Sequence, residues 1–198
     1  MTTDTFKNTF EAASVEGKAK LLIEFISNEG LKCFEENITQ YAHATQSAFL
    51  ARTDGASNLL ITAALLHDIG HLFVTDFNES NYNEEDHYHE NLFVEIFKGY
   101  FPQIVLDTVS FHVLAKRYLV TVEEGYYENL SDASKNSFHV QGGYLSKDEI
   151  KLMEGQPFLN EILMLRRWDE SAKEVNLIVP PVEEYYNEIV EALENKIN

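Results

Sequence analysis

Apolar positions recur at helical spacing along most of the chain, and no segment alternates convincingly over a strand's length. The pattern predicts a first helix over Phe10 to Asn28 and a second over Thr39 to Arg52, stopped near Asp54-Gly55. Ser57 caps a third that is nearly all apolar through Leu66 and ends at Gly70, so it belongs in the centre of the domain. An acidic, Asn-rich stretch from Thr75 to Asp86 reads as a loop. Helices are then expected over His87 to Gly99 and, opened by Pro102, over Gln103 to Tyr118. Val120 to Gly143 is less regular, with Gly125 and the pair Gly142-Gly143. Ser146 with Glu149 forms a capping-box pattern for a short helix. Pro157 precedes a helix over Leu159 to Lys173, and Pro180-Pro181 opens a last one over Val182 to Lys196. The expected class is all-α: one helical domain over residues 1–198, without internal repeats or linkers.

Charge and composition narrow the function. The 198 residues suit a single sizeable core. A formal net charge of −18 argues against a nucleic-acid or acidic-membrane partner, because phosphate backbones and acidic headgroups would be repelled. An anionic small substrate remains possible, since a metal or a few buried cations can make one pocket positive. The single cysteine, Cys33, rules out an intramolecular disulfide and fits a reducing compartment. The start of the chain has no basic segment followed by an apolar run, so the expectation is a cytoplasmic protein without a secretory signal. The longest strongly apolar stretch, Leu59 to Leu66, is far too short to span a bilayer.

The chemistry centres on His67-Asp68, which ends the apolar run Ala63-Ala64-Leu65-Leu66 and precedes Ile69-Gly70-His71. An isolated His-Asp pair is commonly a solvated helix end. Here the apolar flanks make burial of a carboxylate between two imidazoles the expectation, and that is costly unless a cation compensates. His43, His112 and Asp169 lie in other helical segments, and His87 or His89 opens another; spacing does not choose between those two. Each has an ordinary alternative, from a core histidine to an intrahelical ion pair. Jointly, His43, His67, Asp68, His89, His112 and Asp169 supply four imidazoles and two carboxylates, enough for two metals bridged by one carboxylate. The set has no thiolate and suits Fe or Mn at least as well as Zn. Three of these positions have a donor or cation one helical turn away: His71 after His67, Lys116 after His112, and Arg166 before Asp169. That spacing sets an anion layer beside a metal layer, unless Lys116 and Arg166 merely pair with the plentiful acids.

The run Ala63-Ala64-Leu65-Leu66-His67-Asp68-Ile69-Gly70-His71 resembles the HD superfamily signature. Four further stretches resemble the phosphonate-cleaving HD oxygenases of the PhnZ type. They are Thr39 to Ala48, Phe111 to Leu119, Gln141-Gly142-Gly143 and Leu165-Arg166-Arg167-Trp168-Asp169. The similarity runs from about Glu35 to Lys173, and the second and fourth stretches are its specific parts. The resemblance implies a mixed-valence Fe(II)/Fe(III) pair on His43, His67, bridging Asp68, His89, His112 and Asp169, and it favours His89 over His87. It implies phosphonate contacts from His71, Lys116, Ser134 and Arg166. The implied substrate is a small 1-hydroxyalkylphosphonate with a 2-amino or 2-trimethylammonio group. With O2 it would give phosphate and a carboxylate such as glycine or glycine betaine. The family often has a Tyr ten residues before its first ligand His and a Glu three residues after that Tyr. Here those positions hold Cys33 and Glu36. Glu36 retains a partner for a cationic substrate end, whereas Cys33 cannot cap an iron as a phenol would. Two other readings stand beside this one: an HD phosphohydrolase acting on a nucleotide or phosphate ester through the same ligands, and a non-catalytic helical module that binds a phosphorylated ligand.

Overall fold

The structure, a computed structural model, describes residues 1–31, 38–73 and 89–196. Among them it is all-α, as expected. Four helices come from the first third of the chain: α1 (Thr3–Ala12), α2 (Val15–Glu29), α3 (Gln40–Thr53) and α4 (Asn58–Leu66). After a short 3-10 turn over Ile69–Phe73 come α5 (His89–Phe97), α6 (Gln103–Ser110), α7 (His112–Val122), α8 (Asp132–Val140), α9 (Lys147–Glu154) and α10 (Leu159–Ser171). A second 3-10 turn, Val182–Tyr185, leads into α11 (Tyr186–Glu194). The predicted loop over Thr75 to Asp86, together with His87, Cys33 and Glu36, lies outside the described residues.

Three sequence expectations change. The single first helix is two, because Ser14 turns extended and caps α2 by accepting from the Gly17 N–H. The long helix after Pro102 also divides, at Phe111, whose φ of −99° and ψ of 1° leave the helical region. That break makes His112 the first residue of α7. The irregular span after Val120 contains α8, capped by Ser131, whose side chain accepts from the Ser134 N–H. The cap was visible as Leu-Ser-Asp-Ala-Ser, but α8's mixed polarity hid its period.

Helix α4 is the axis. Leu60 to Leu66 are all buried, so it has no solvent face and packs against α3, α6, α10 and α11. Phe6 and Phe10 of α1 close one end of the core, with the Phe6 ring 4.8 Å from Phe25 and 5.0 Å from Phe73, centre to centre. Helix α11 is tied to α3 by Arg52, which bonds Glu188 at 2.5 Å and stacks 4.0 Å above the Tyr185 ring. Helix α10 joins two regions of core. It packs on α3, α4 and α6 and also on α7. Beyond α7 lie smaller apolar clusters around Phe138 and Met153. The Gly142-Gly143 turn, with φ of +105° and +66°, reverses the chain after α8; Arg117 of α7 donates to the Gly143 carbonyl at 2.9 Å.

Gly70 sets how closely the 3-10 turn approaches α5. A methyl group there would strike the His89 carbonyl oxygen and lie 2.8 Å from its carbonyl carbon. Backbone cannot swing aside as a side chain can. Gly70→Ala is therefore expected to destabilise the protein by roughly 1–3 kcal/mol, the usual cost of overpacking, and to lower its metal content by displacing His89. An unchanged melting temperature in thermal unfolding would show that α5 yields freely.

Candidate metal centre

Five elements each bring one part of the site. His43 sits on the buried face of α3, and its Nδ1 donates to the Ala172 carbonyl at 2.9 Å, just past α10. One turn on, Gln46 clamps the same segment. Its Nε2 donates to the Glu174 carbonyl at 2.8 Å, and its Oε1 accepts from the Glu174 N–H at 3.0 Å. His67 caps the C-terminus of α4 and donates from Nδ1 to the Ala64 carbonyl at 2.8 Å, one of the carbonyls a helix end leaves unpaired. His112 does the same between helices, donating to Val109 of α6 at 2.7 Å. His89 opens α5, with its Nδ1 3.5 Å from a Glu90 carboxylate oxygen. Asp68 follows His67 directly, and Asp169 comes from the last turn of α10.

These anchors decide the tautomers. A histidine that donates from Nδ1 presents a lone pair at Nε2 unless a second proton is added. The Nε2 atoms of His43 and His67 are 3.1 Å apart, and those of His89 and His112 are also 3.1 Å apart. His43 and His67 both donate from Nδ1, so their two Nε2 lone pairs do not bond each other and a positive centre must sit between them, either a proton or a metal ion. His89 is not anchored this way among the described residues, and its Nε2–H can donate to the His112 lone pair until a metal ion takes that place. Two nitrogens so spaced can share one cation at bonds of about 2.1 Å.

Asp68 lies between the pairs. Its Oδ2 is 3.5 Å from both His43 Nε2 and His67 Nε2, and its Oδ1 is 3.2 Å from His89 Nε2 and 3.5 Å from His112 Nε2. Asp169 Oδ1 adds to the first pair, 3.3 Å from His43 and 3.8 Å from His67. The result is two donor sets sharing one carboxylate. The donor atoms of His43, His67 and Asp169 lie within 4.8 Å of one another, and so do those of Asp68, His71 and His89. His71, expected in the anion layer, stacks its ring on His89 at 3.8 Å, and its donor atom borders the second set.

Burial pushes both carboxyls up, but their neighbours overcome it. The four histidines hold Asp68 well below the usual carboxylate range, and Arg166 with His43 and His67 does the same for Asp169. Burial also works against a charged His43, yet Asp169 and Asp68 outweigh it and raise its pKa to about 10. His112 is raised as well, by Asp68 against the effect of burial.

The expected anion-layer residues Lys116, Ser134 and Arg166 are all buried. Lys116 Nζ donates to Ser137 Oγ at 2.7 Å. Arg166 donates from one arm to Asp169 Oδ2 at 2.5 Å and from the other to Glu170 and, at 3.3 Å, to Ser134 Oγ. Lys173 reaches Ser131 Oγ at 2.7 Å and Ser134 Oγ at 2.8 Å. Sequence reading overlooked Ser137, Glu170 and Lys173. The last two could have been found, because Arg166, Glu170 and Lys173 stand four and three residues apart on one helical face.

The sequence matches the HD-domain family model over residues 37–156. It is 40% identical over 175 residues to a hydroxymethylphosphonate dioxygenase of Gimesia maris, covering 88% of this chain and 87% of that one. It is 37% identical over 146 residues to the glycine-betaine-forming [1-hydroxy-2-(trimethylamino)ethyl]phosphonate dioxygenase of Leisingera caerulea, covering 73% and 74% of the two chains. An uncharacterised protein of Acanthamoeba polyphaga mimivirus is 34% identical over 166 residues, covering 82% of this chain and 75% of that one. This chain belongs to the HD-domain family and, within it, to the oxygenases of the PhnZ type. It is accordingly a metal-dependent, O2-using enzyme.

Metal loading should release protons. At pH 8 the metal-free protein carries an added proton on His43, and a cation needs that lone pair. Because the folded pKa is raised, this proton stabilises the metal-free protein below the ordinary histidine value of 6.5, and that stabilisation is lost as pH climbs towards 10. Titrating metal into weakly buffered protein is expected to release at least about one proton per chain, with affinity rising as pH rises. No release would mean that His43 is already neutral.

Proposed function

We propose that this enzyme holds two iron ions, a mixed-valence Fe(II)/Fe(III) pair, and oxidatively cleaves the C–P bond of a small 1-hydroxyalkylphosphonate. The observation that carries the reading is the division of Asp68, one oxygen towards each histidine pair. A hydrolase needing one metal would leave the second pair, His89 and His112, without a purpose. His43, His67, Asp68 and Asp169 would hold one ion, and His89, His112 and Asp68 would hold the other. Nitrogen and oxygen donors without thiolate suit iron. The two named relatives support the substrate class. Both names describe a phosphonate with a hydroxyl on the carbon next to phosphorus, and they differ in what that carbon carries.

The irons supply the redox chemistry with O2. The protein binds and orients. Lys116, Arg166, Ser134 and His71 take the phosphonate oxygens, and Glu36, outside the described residues, takes a cationic substituent where the substrate has one. Buried donors aimed at a dianion fix the hydroxyl-bearing carbon against the metals and limit the water around it. In the overall change the C–P bond breaks, one oxygen of O2 ends on carbon as carboxylate and the other on phosphorus as phosphate, and a proton is released. O2 is the oxidant and C1 is oxidised. No helix among the described residues is long and apolar enough to cross a membrane. The single cysteine supports a reducing, cytoplasmic setting, and the charge of −18 disfavours nucleic acid as a partner.

Metal analysis, EPR of the partly oxidised protein and phosphate release from hydroxymethylphosphonate test the reading together. Two irons per chain, a mixed-valence signal and O2-dependent release are expected. Release that persists without O2 would overturn the oxygenase in favour of a hydrolase. Lys116→Ala should raise KM about tenfold or more, since charge-assisted hydrogen bonds contribute roughly 1.5–3 kcal/mol, with metal content unchanged. Loss of metal in that variant would place Lys116 in the metal layer instead.

A further inference from the structure

We propose that Glu170 is a positioning residue for the anion pocket, the carboxylate that holds Arg166 in the pose that receives the phosphonate and fixes Ser134 beside it. This rests on the reading above, in which Arg166 contacts substrate.

Glu170 joins the end of α10 to the start of α8. Its Oε1 accepts from the Ser131 N–H at 2.8 Å, at the N-terminus of α8. Its Oε2 accepts from Ser134 Oγ at 2.7 Å and from the second arm of Arg166, and lies 3.5 Å from Lys173 Nζ. The carboxylate is thus charge-paired and hydrogen-bonded on both oxygens, and its side chain is only 16% exposed. Arg166, Lys173, the Ser131 N–H and Ser134 hold it ionised against the upward pull of burial.

Two consequences follow for the pocket. Arg166 is gripped by carboxylates three and four residues along its own helix, Asp169 from one arm and Glu170 from the other. Both arms are therefore fixed, and the Nε–H is buried with no hydrogen-bond partner among the described residues. A guanidinium locked this way loses little rotamer freedom when an anion arrives, which favours binding. Ser134 gives its one hydroxyl hydrogen to Glu170 and accepts from Lys173 and Arg166. That donation sets the direction of the Ser134 hydroxyl and keeps the start of α8 against α10.

The alternative is that Glu170 stands in for the substrate and must be displaced from Arg166 and Ser134. The bond to the α8 backbone argues against it. Leaving would strip the Ser131 N–H and Lys173 of a partner as well as the two residues in question.

The two roles predict opposite signs. Binding of inorganic phosphate and of methylphosphonate, which lacks the reacting hydroxyl, is measured by calorimetry on the metal-loaded protein without turnover. Glu170→Gln is nearly isosteric, but it removes the charge that pairs Arg166 and Lys173, and its NH2 must oppose either the Ser131 N–H or the donors of Arg166, Lys173 and Ser134. It is expected to weaken both ligands about tenfold, or about 1.4 kcal/mol. KM should rise by a similar factor while kcat stays within about threefold and metal content and melting temperature hold. Glu170→Asp should recover part of the affinity. Unchanged or tighter binding in Glu170→Gln overturns the proposal, and tighter binding assigns Glu170 the displaced role. Equal losses of kcat, metal and stability in Glu170→Gln, without recovery in Glu170→Asp, would reduce it to a general structural contact and also overturn it. Arg166→Ala serves as the reference. If it too leaves phosphate binding unchanged, the pocket assignment has failed; if it alone weakens binding, only the role of Glu170 has.

Discussion

The structure depends on the burial of one carboxylate among four imidazoles. Asp68 is 7% exposed and sits where His43, His67, His89 and His112 direct their Nε2 atoms. A buried charge is tolerated only when it is paired and hydrogen-bonded, so the helices bearing those histidines must converge on a single point. Helix α4 delivers Asp68 because it is apolar on every side and can run through the centre of the domain. Helix α3 gives up part of its apolar surface to a buried polar face, on which His43 and Gln46 grip the chain after α10. The break at Phe111 starts α7 at His112, whose Nδ1 donates to the Val109 carbonyl and fixes that ring.

The same constraint links packing to chemistry. Each backbone carbonyl that accepts from an Nδ1–H leaves that ring's Nε2 lone pair facing into the cluster, so the fold creates a demand for cations that solvent cannot meet inside the core. Protons meet part of it in the metal-free protein, where the neighbouring carboxylates raise the pKa of His43 and His112 against burial. Metal ions meet it more completely, because each takes several lone pairs at once. Affinity for metal and stability of the fold are then aspects of one balance.

Beside this centre the protein builds a second charge system of opposite purpose. Asp169 belongs to both, with one oxygen facing the histidines and the other held by Arg166. Arg166 carries the connection onward to Glu170, and Glu170 to α8. In the proposed function, a substrate anion would meet donors whose orientation is set by the helix that also carries Asp169. Such coupling suits an enzyme that must place a phosphonate and a neighbouring carbon against the metals at the same time.

Much of this was legible along the chain. Helical periodicity gave the fold class, the polar triplet His67-Asp68 and His71 in apolar surroundings marked the buried site, and the one-turn spacings of Lys116 from His112 and of Arg166 from Asp169 marked the anion side. These are local signals, carried by residues within one helix. What only the tertiary structure decided is how the helices meet. The pairing of His43 with His67 and of His89 with His112, the division of Asp68 between the pairs, and the approach of His71 to His89 join residues from separate elements. The hub at Glu170 likewise spans 39 and 36 residues to Ser131 and Ser134. Side-chain spacing on a helix is fixed by its pitch, whereas the distance between helices depends on how the whole core packs. The sequence by itself therefore determined which groups could serve the site, and packing decided which of them lie together.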